Sequence, residues 1–309
     1  MIQSVVEVGL PVDEKLKIVK NRIASPGAGE GSKRICIVTG THGDELEGQF
    51  VCFELNRLIR ENMQYLDGIV DIYPALNPLG VDSIMRGIPG FDLDMNRLFP
   101  GSKESSMVEH VVYEIFEDIK GADVCIDIHA SNIFLREIPQ IRINEKTAEE
   151  LVPLARHMNV DFVWVHAAAT VLESTLAYSL NMAGTKTLVV EMGVGMRITE
   201  EFGNQLCQGI LSLMKHLGMW SGPVEEVREP IVSMDGSVEY INAEAPGIFI
   251  QHTEHWEHVR EGERLGEIVD PLTGDILIEV RSPCDGAVFT LREYPVVDVG
   301  SLIARILKG

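Results

Sequence analysis

Residues 34–48 read Arg34-Ile-Cys-Ile-Val-Thr-Gly40-Thr-His42-Gly-Asp44-Glu45-Leu-Glu47-Gly48, an apolar run that stops at Gly-Thr-His-Gly and resumes with helix-forming residues. A short, β-rich run bounded by glycine predicts a strand buried on both faces, then a tight loop and a helix. Open α/β sheets gather their ligands at the C-terminal ends of strands, and His42 and Glu45 stand in that loop. Three residues apart at a helix entry, imidazole and carboxylate can converge on one cation. A lone His-x-x-Glu is equally the pattern of a carboxylate complementing a helix N-terminus beside a loop histidine, so a metal reading requires a third ligand.

Residues 123–131, Asp123-Val-Cys-Ile-Asp127-Ile-His129-Ala-Ser131, repeat the logic: an apolar strand breaks at a histidine beside small residues. His42, Glu45 and His129 together form the His2Glu donor set that leaves zinc one open position for water. One Zn2+ per chain is expected. Thr185-Lys-Thr-Leu-Val-Val-Glu191-Met-Gly-Val-Gly195 is a further strand ending on a polar residue, and its Glu191 is the candidate general base.

Thr41-His-Gly-Asp-Glu45, Asn77-Pro78, Asp94-Met-Asn96-Arg97-Leu-Phe99-Pro100-Gly101, Asp127-Ile-His129-Ala-Ser131 and Val190-Glu191-Met-Gly193 follow one another along the chain. Their order resembles the succinylglutamate desuccinylase/aspartoacylase family, a branch of the zinc-carboxypeptidase fold, over about residues 30–220. The resemblance implies an α/β fold with a mixed sheet flanked by helices, and it places Glu191 at the family's catalytic glutamate. It also implies that Asn96 and Arg97 bind a substrate carboxylate and that an earlier arginine in the same loop polarises the scissile carbonyl. Arg97 lies inside the Asp-x-Asn-Arg motif; Arg86 is assigned by its upstream place alone. A guanidinium can grip a carboxylate bidentately or steady a developing oxyanion, while the bland alternative is a surface ion pair with Asp92 or Asp94.

Between the motifs, periodicity predicts helices over 48–63, 108–120, 147–158 (with Thr147 as N-cap) and 199–217, and strands over 68–73 and 161–166. Residues 79–106 read as a long functional loop. Arg136 or Arg142 could line the pocket, and His166, ending its strand, reads as structural or supporting rather than as a ligand.

From about Glu225 the chain turns to short β segments punctuated by glycine, a rhythm that looks like a biotinyl/lipoyl-type barrel-sandwich. The expected organisation is a catalytic domain at 1–224 and a small all-β domain at 225–309. The only lysine after residue 225 is Lys308, so no swinging arm can be carried. The β domain then serves as a wall or lid of the active site, or as a homo-oligomer contact.

A length of 309 residues allows a sizeable core plus an appendage. The formal charge of −21 repels nucleic acid and anionic membranes, and it gives no long-range steering to an anionic substrate. Carboxylate recognition then rests on local arginines, and a substrate that also carries an amine suits the field better. The cysteines (Cys36, Cys52, Cys125, Cys207 and Cys284) form no C-x-x-C pair and read as core residues. A start without the basic and apolar regions of a signal peptide, and no long apolar stretch, lead to the expectation of a cytoplasmic protein. The expected activity is a zinc-dependent deacylase cleaving the amide of a small N-acyl amino acid or related compound. A metallocarboxypeptidase acting on peptides, or a non-catalytic binding protein on the same fold, are the rivals.

Overall fold

The computed structural model describes residues 1–166, 173–234 and 237–309. Among them the chain runs through β1 (Ile2–Gly9), β2 (Lys15–Ala24), β3 (Arg34–Val38), α1 (Glu47–Glu61), β4 (Ile69–Tyr73), α2 (Pro78–Ser83), α3 (Met107–Ile119) and β5 (Val124–His129). It continues through β6 (Leu135–Asn144), α4 (Ala148–Ala155), β7 (Phe162–His166), α5 (Leu176–Met182), β8 (Lys186–Gly193) and α6 (Glu200–His216). The remainder is β9 (Ile231–Met234), β10 (Val238–Asn242), β11 (Gly247–Gln251), β12 (His258–Val259), β13 (Arg264–Asp270), β14 (Asp275–Arg281), β15 (Gly286–Arg292), β16 (Val296–Val297) and β17 (Leu302–Lys308). No helix among the described residues is long and apolar enough to cross a membrane.

The centre of the large mixed sheet is the parallel set β4-β3-β5-β8, in which Ile35 faces Val124 and Ile126 faces Leu188 across the ladders. Alternation sends successive side chains of β3 to opposite faces: Ile35 and Ile37 pack with α1 and α6, whereas Cys36 and Val38 pack with α3 and α5. Both faces are covered, so the strand is apolar from Ile35 onward and each buried aliphatic side chain contributes about 1.5–3 kcal/mol. Cys36 and Cys125 are fully buried in these strands, and all five cysteines are free thiols.

The loop expected over 79–106 contains the short helix α2, capped by Asn77, whose side chain accepts from the Gly80 N–H. Helix α4 is shorter than expected, ending at Ala155; Thr147 takes its N-cap position without a capping bond, donating instead to the Asn144 carbonyl at 3.1 Å. Strand β6 had no counterpart in the sequence reading. It pairs antiparallel with β8, parallel with β7 and antiparallel with β15, so the large sheet continues without a break into the C-terminal strands. Strands β14-β13-β11-β16 form a second, antiparallel sheet, and Phe249, Leu265, Ile268, Val288, Ile303 and Ile306 fill the core there.

Asp71 on β4 is fully buried, with Arg22 Nη2 at 2.6 Å and Lys20 Nζ at 3.3 Å. Burial pushes its carboxyl up, but the hydrogen bond from Arg22 and the charge of Lys20 outweigh it and hold the group below the usual carboxylate range. A folded-state value below the unfolded one adds stability that is fully present above the unfolded value of about 4 and is lost as pH falls through the folded one. Urea titrations should therefore show stability falling below about pH 4, and Asp71→Asn, which leaves buried cations uncompensated, should cost about 3 kcal/mol at pH 7. An Asp71→Asn midpoint equal to the parent's would refute this account.

Candidate active site

His42 leaves the C-terminal end of β3 in a loop that crosses α2 closely: a Cβ on Gly43 would stand 1.9 Å from the Gly80 carbonyl carbon. Only glycine fits there, which fixes the path that turns His42 inward. His129 closes β5, one strand over, and Glu191 lies opposite it on β8. Three strand ends thus deliver side chains to one edge of the sheet, while α1 begins just beyond Glu45.

The Glu45 carboxylate stands between the two imidazoles. His42 Nδ1 is 2.8 Å from Glu45 Oε1 and His129 Nδ1 is 2.9 Å from Glu45 Oε2. The His42 approach lacks hydrogen-bond geometry, leaving its buried Nδ1 an orphaned nitrogen. The three groups offer ligand atoms that all lie within 4.8 Å of one another, and all three residues are buried. A carboxylate stands behind each far nitrogen: His42 Nε2 is hydrogen-bonded to Asp94 Oδ1 at 3.0 Å, and His129 Nε2 lies 3.1 Å from Asp127 Oδ1 without hydrogen-bond geometry. Carboxylate backing of this kind fixes ring orientation and directs the opposite nitrogen at a metal.

The electrostatics agree. Burial pushes both histidines down, yet Asp94 and Glu45 raise His42 overall, and Asp127 and Glu45 raise His129 well above the ordinary value. Burial raises Asp94, but His42 and Arg86 bring it to about 2. A cradle that favours positive charge so strongly, built from two imidazoles and one carboxylate of tetrahedral-site type, fits a divalent cation such as zinc.

Arg86 donates from Nη1 to Glu45 Oε1 at 2.9 Å, and its Nε lies 3.5 Å from Asp94 Oδ2. The Asp94 pair weighed from sequence is therefore real, and it sits beside the proposed ligands. Arg97 is exposed and donates to the Asn96 carbonyl at 2.8 Å; among the described residues it makes no ion pair. Asn96 Oδ1 accepts from Leu176 N–H at 2.9 Å, tying the loop to α5, whose N-cap Thr175 accepts from Tyr178 N–H. Glu191 Oε2 accepts from Ser131 N–H at 2.6 Å, and its Oε1 lies 3.3 Å from Arg142 Nη1.

These side chains line a cavity of about 240 Å³ that also includes Arg142, Asn144, His166, Tyr178 and Asn181. Arg136 is not among its lining residues and instead stacks over Phe202, 5.8 Å from the ring centroid. His166 lines the cavity outside the three-ligand cluster. Among the described residues no group that lines the cavity follows Glu191, so the described C-terminal strands supply none of its wall. Sequence reasoning gave Asp94 no part beyond an ion pair with an arginine, and gave none to Asp127 or Glu137. Asp127 was findable, because residues two apart in a strand share a face and Asp127-x-His129 is such a pair.

A central mixed sheet with helices on both faces, a His-Glu-His cluster at its edge and an added antiparallel sheet place this chain in the zinc-carboxypeptidase-like α/β class. The succinylglutamate desuccinylase/aspartoacylase catalytic domain matches residues 31–217. The chain belongs to that family. It is 25% identical over 290 residues to the N-alpha-acetyl-L-2,4-diaminobutyric acid deacetylase of Halomonas elongata, covering 91% of this chain and 83% of that protein. A succinylglutamate desuccinylase/aspartoacylase from Rhodobacter sphaeroides shares the fold at a TM-score of 0.82 and 22% identity, over 99% of this chain and 95% of that one. The product-bound ectoine utilization protein of Ruegeria pomeroyi does so at 0.84 and 17%, over 100% and 95%.

Proposed function

We propose that this protein is a zinc-dependent hydrolase that cleaves the amide bond of a small N-acyl amino acid. His42, Glu45 and His129 hold one zinc ion per chain, and Glu191 is the general base. The observation that carries the reading is the Glu45 carboxylate set between two inward-facing Nδ1 atoms, with a second carboxylate, Glu191, presented from the adjacent strand. Bound zinc supplies Lewis acidity, lowering the pKa of water to about 7 and polarising the scissile carbonyl.

The chain's own residues do the rest. Glu191 takes a proton from the attacking water and returns it to the amide nitrogen as the C–N bond breaks, giving a carboxylate and a free amine. Arg86, beside Glu45, offers positive charge to the carbonyl oxygen as it becomes an oxyanion. Arg97 and the Asn96 amide receive the substrate carboxylate.

Charge balance narrows the substrate. Arg86 is paired with Glu45 and Asp94, and Arg142 with Glu137 and Glu191, which leaves Arg97 as the one cavity-lining arginine among the described residues without a carboxylate partner. One free guanidinium suits one carboxylate, and the strongly acidic chain favours an amine elsewhere on the substrate. An N-acetyl diamino acid, as in the name of the Halomonas relative, meets both conditions. A cavity of about 240 Å³, near the lower bound of roughly 300 Å³ for ligand pockets, supports a small substrate over a peptide.

The test is hydrolysis of N-α-acetyl-L-2,4-diaminobutyrate beside its carboxamide analogue. The free acid should be preferred, and Arg97→Met should raise KM roughly 10- to 100-fold, as for loss of a charged hydrogen bond. Equal cleavage of acid and carboxamide by the parent would remove the carboxylate-binding role.

A further inference from the structure

Glu137 on β6 is fully buried and accepts four side-chain donors. Arg142 Nη2 reaches its Oε1 at 2.8 Å and Arg305 Nη1 reaches the same oxygen at 2.9 Å. Oε2 takes Gln140 Nε2 at 2.7 Å and the Thr290 hydroxyl. Two of these donors come from the C-terminal strands, Thr290 from β15 and Arg305 from β17. Arg142 and Arg305 both stack on Trp164, at 5.7 and 5.6 Å from its ring centroid, so neither guanidinium can turn freely.

The consequence falls on Glu191. Arg142 stands between two carboxylates, but the contacts differ: 2.8 Å to Glu137 against 3.3 Å to Glu191. A charge-assisted N–H···O bond closes to about 2.7–2.9 Å when nothing opposes it. Glu137 therefore holds the guanidinium back, letting it orient Glu191 without closing into a bidentate pair that would weaken the base and draw it off the Ser131 N–H.

We propose that Glu137 is a positioning residue for Glu191, acting through Arg142, and that Thr290 and Arg305 of the C-terminal strands fix Glu137 in that role. The proposal rests on the reading of Glu191 as the general base. It gives the C-terminal strands a part in catalysis although they line no described part of the cavity.

The experiment uses the full-length, zinc-loaded chain and a panel of N-acetyl-L-amino acids. Thr290→Val keeps the side-chain volume and every charge while removing one donor to Glu137 and the oxygen that accepts from Arg305 Nη1 at 3.3 Å. It should lower kcat roughly fivefold, in keeping with the loss of one hydrogen bond, with KM within twofold and zinc content at the parent's, while the thermal midpoint falls by a few degrees because a buried carboxylate is left one donor short. Thr290→Ser should restore kcat. In a Glu191→Gln background Thr290→Val should cause no further loss, because both changes act on the same base. Glu137→Gln should lower kcat more than Thr290→Val does; should it fail to fold, Thr290→Val decides.

A folded, zinc-loaded Thr290→Val enzyme with parental kcat, or one that loses only thermal stability, would overturn the proposal and leave Glu137 as an ion pair at the sheet seam. Full activity in Glu191→Gln would instead remove the base assignment, and this proposal with it. If the parent cleaves no member of the panel, the functional reading fails separately. The crystal structure of Thr290→Val then decides the positioning role: a Glu191 carboxylate turned away from Ser131 N–H upholds it, and an unmoved one overturns it.

Discussion

Replacing His129 with alanine is expected to yield a folded chain that binds no stoichiometric zinc and has no measurable deacylase activity. A three-ligand site has no ligand to spare if its fourth position serves chemistry. The loss is compounded locally, because His129 separates two buried carboxylates, Glu45 at 2.9 Å and Asp127 at 3.1 Å, that would face each other unshielded. Asp127→Asn tests the supporting role in the same assay. Changes in such outer partners cost about 10- to 100-fold in metal affinity, so zinc should be weakened there and not lost. Elemental analysis of both variants after dialysis against a weak chelator gives the answer. Full zinc occupancy in His129→Ala would remove it from the ligand set.

Helices α1, α3 and α6 were legible from their amphipathic period, and the strands that were legible share another property, burial on both faces. β3, β4, β5 and β8 are predominantly apolar runs, broken inside only by single polar residues such as Asp71 and Asp127, and such runs have few other readings when glycine bounds them. β6 failed the same test for a physical reason. Its Arg136, Glu137, Gln140 and Arg142, with Pro139 between them, look like a solvated loop, yet Glu137 and Gln140 are fully buried, the Glu137 carboxylate being met by the Gln140 amide, by Arg142 and by donors distant in sequence. No local window shows that Thr290 and Arg305 will arrive to complete the set. The short helices were missed differently. α2 begins at Asn77-Pro78, a cap followed by proline at the first helical position, a signal that the reading of 79–106 as a loop passed over.

The site divides along the same line. His42, Glu45 and His129 were singled out because strand ends announce them, and the structure brings their ligand atoms within 4.8 Å of one another. Arg86 was assigned by loop position alone, and it lies within hydrogen-bond distance of Glu45. The continuity of the sheet from β6 into β15 could not be read, since pairing register between segments some 150 residues apart leaves no trace in either segment's own pattern. That continuity carries Thr290 to Glu137, which shares Arg142 with Glu191.

Glu191→Gln should separate chemistry from metal binding. Glu191 lies on β8, apart from the His42-Glu45-His129 cluster, and its two oxygens are engaged by Ser131 N–H and by Arg142. Glutamine keeps the side-chain volume and one carbonyl acceptor for the Ser131 N–H, so the fold and zinc content should persist. What it removes is the lone pair that accepts a proton from water and the acid that returns it to the leaving amine, so kcat should fall by roughly 10²–10⁴, the range of general acid–base catalysis. KM should change little, because the interaction lost is made in the transition state rather than in the ground state. A variant that loses zinc would make Glu191 a metal ligand. One that keeps near-parental kcat would return it to a strand-end carboxylate held by Arg142 for packing alone, and the proton would have to move through another group at the cavity wall.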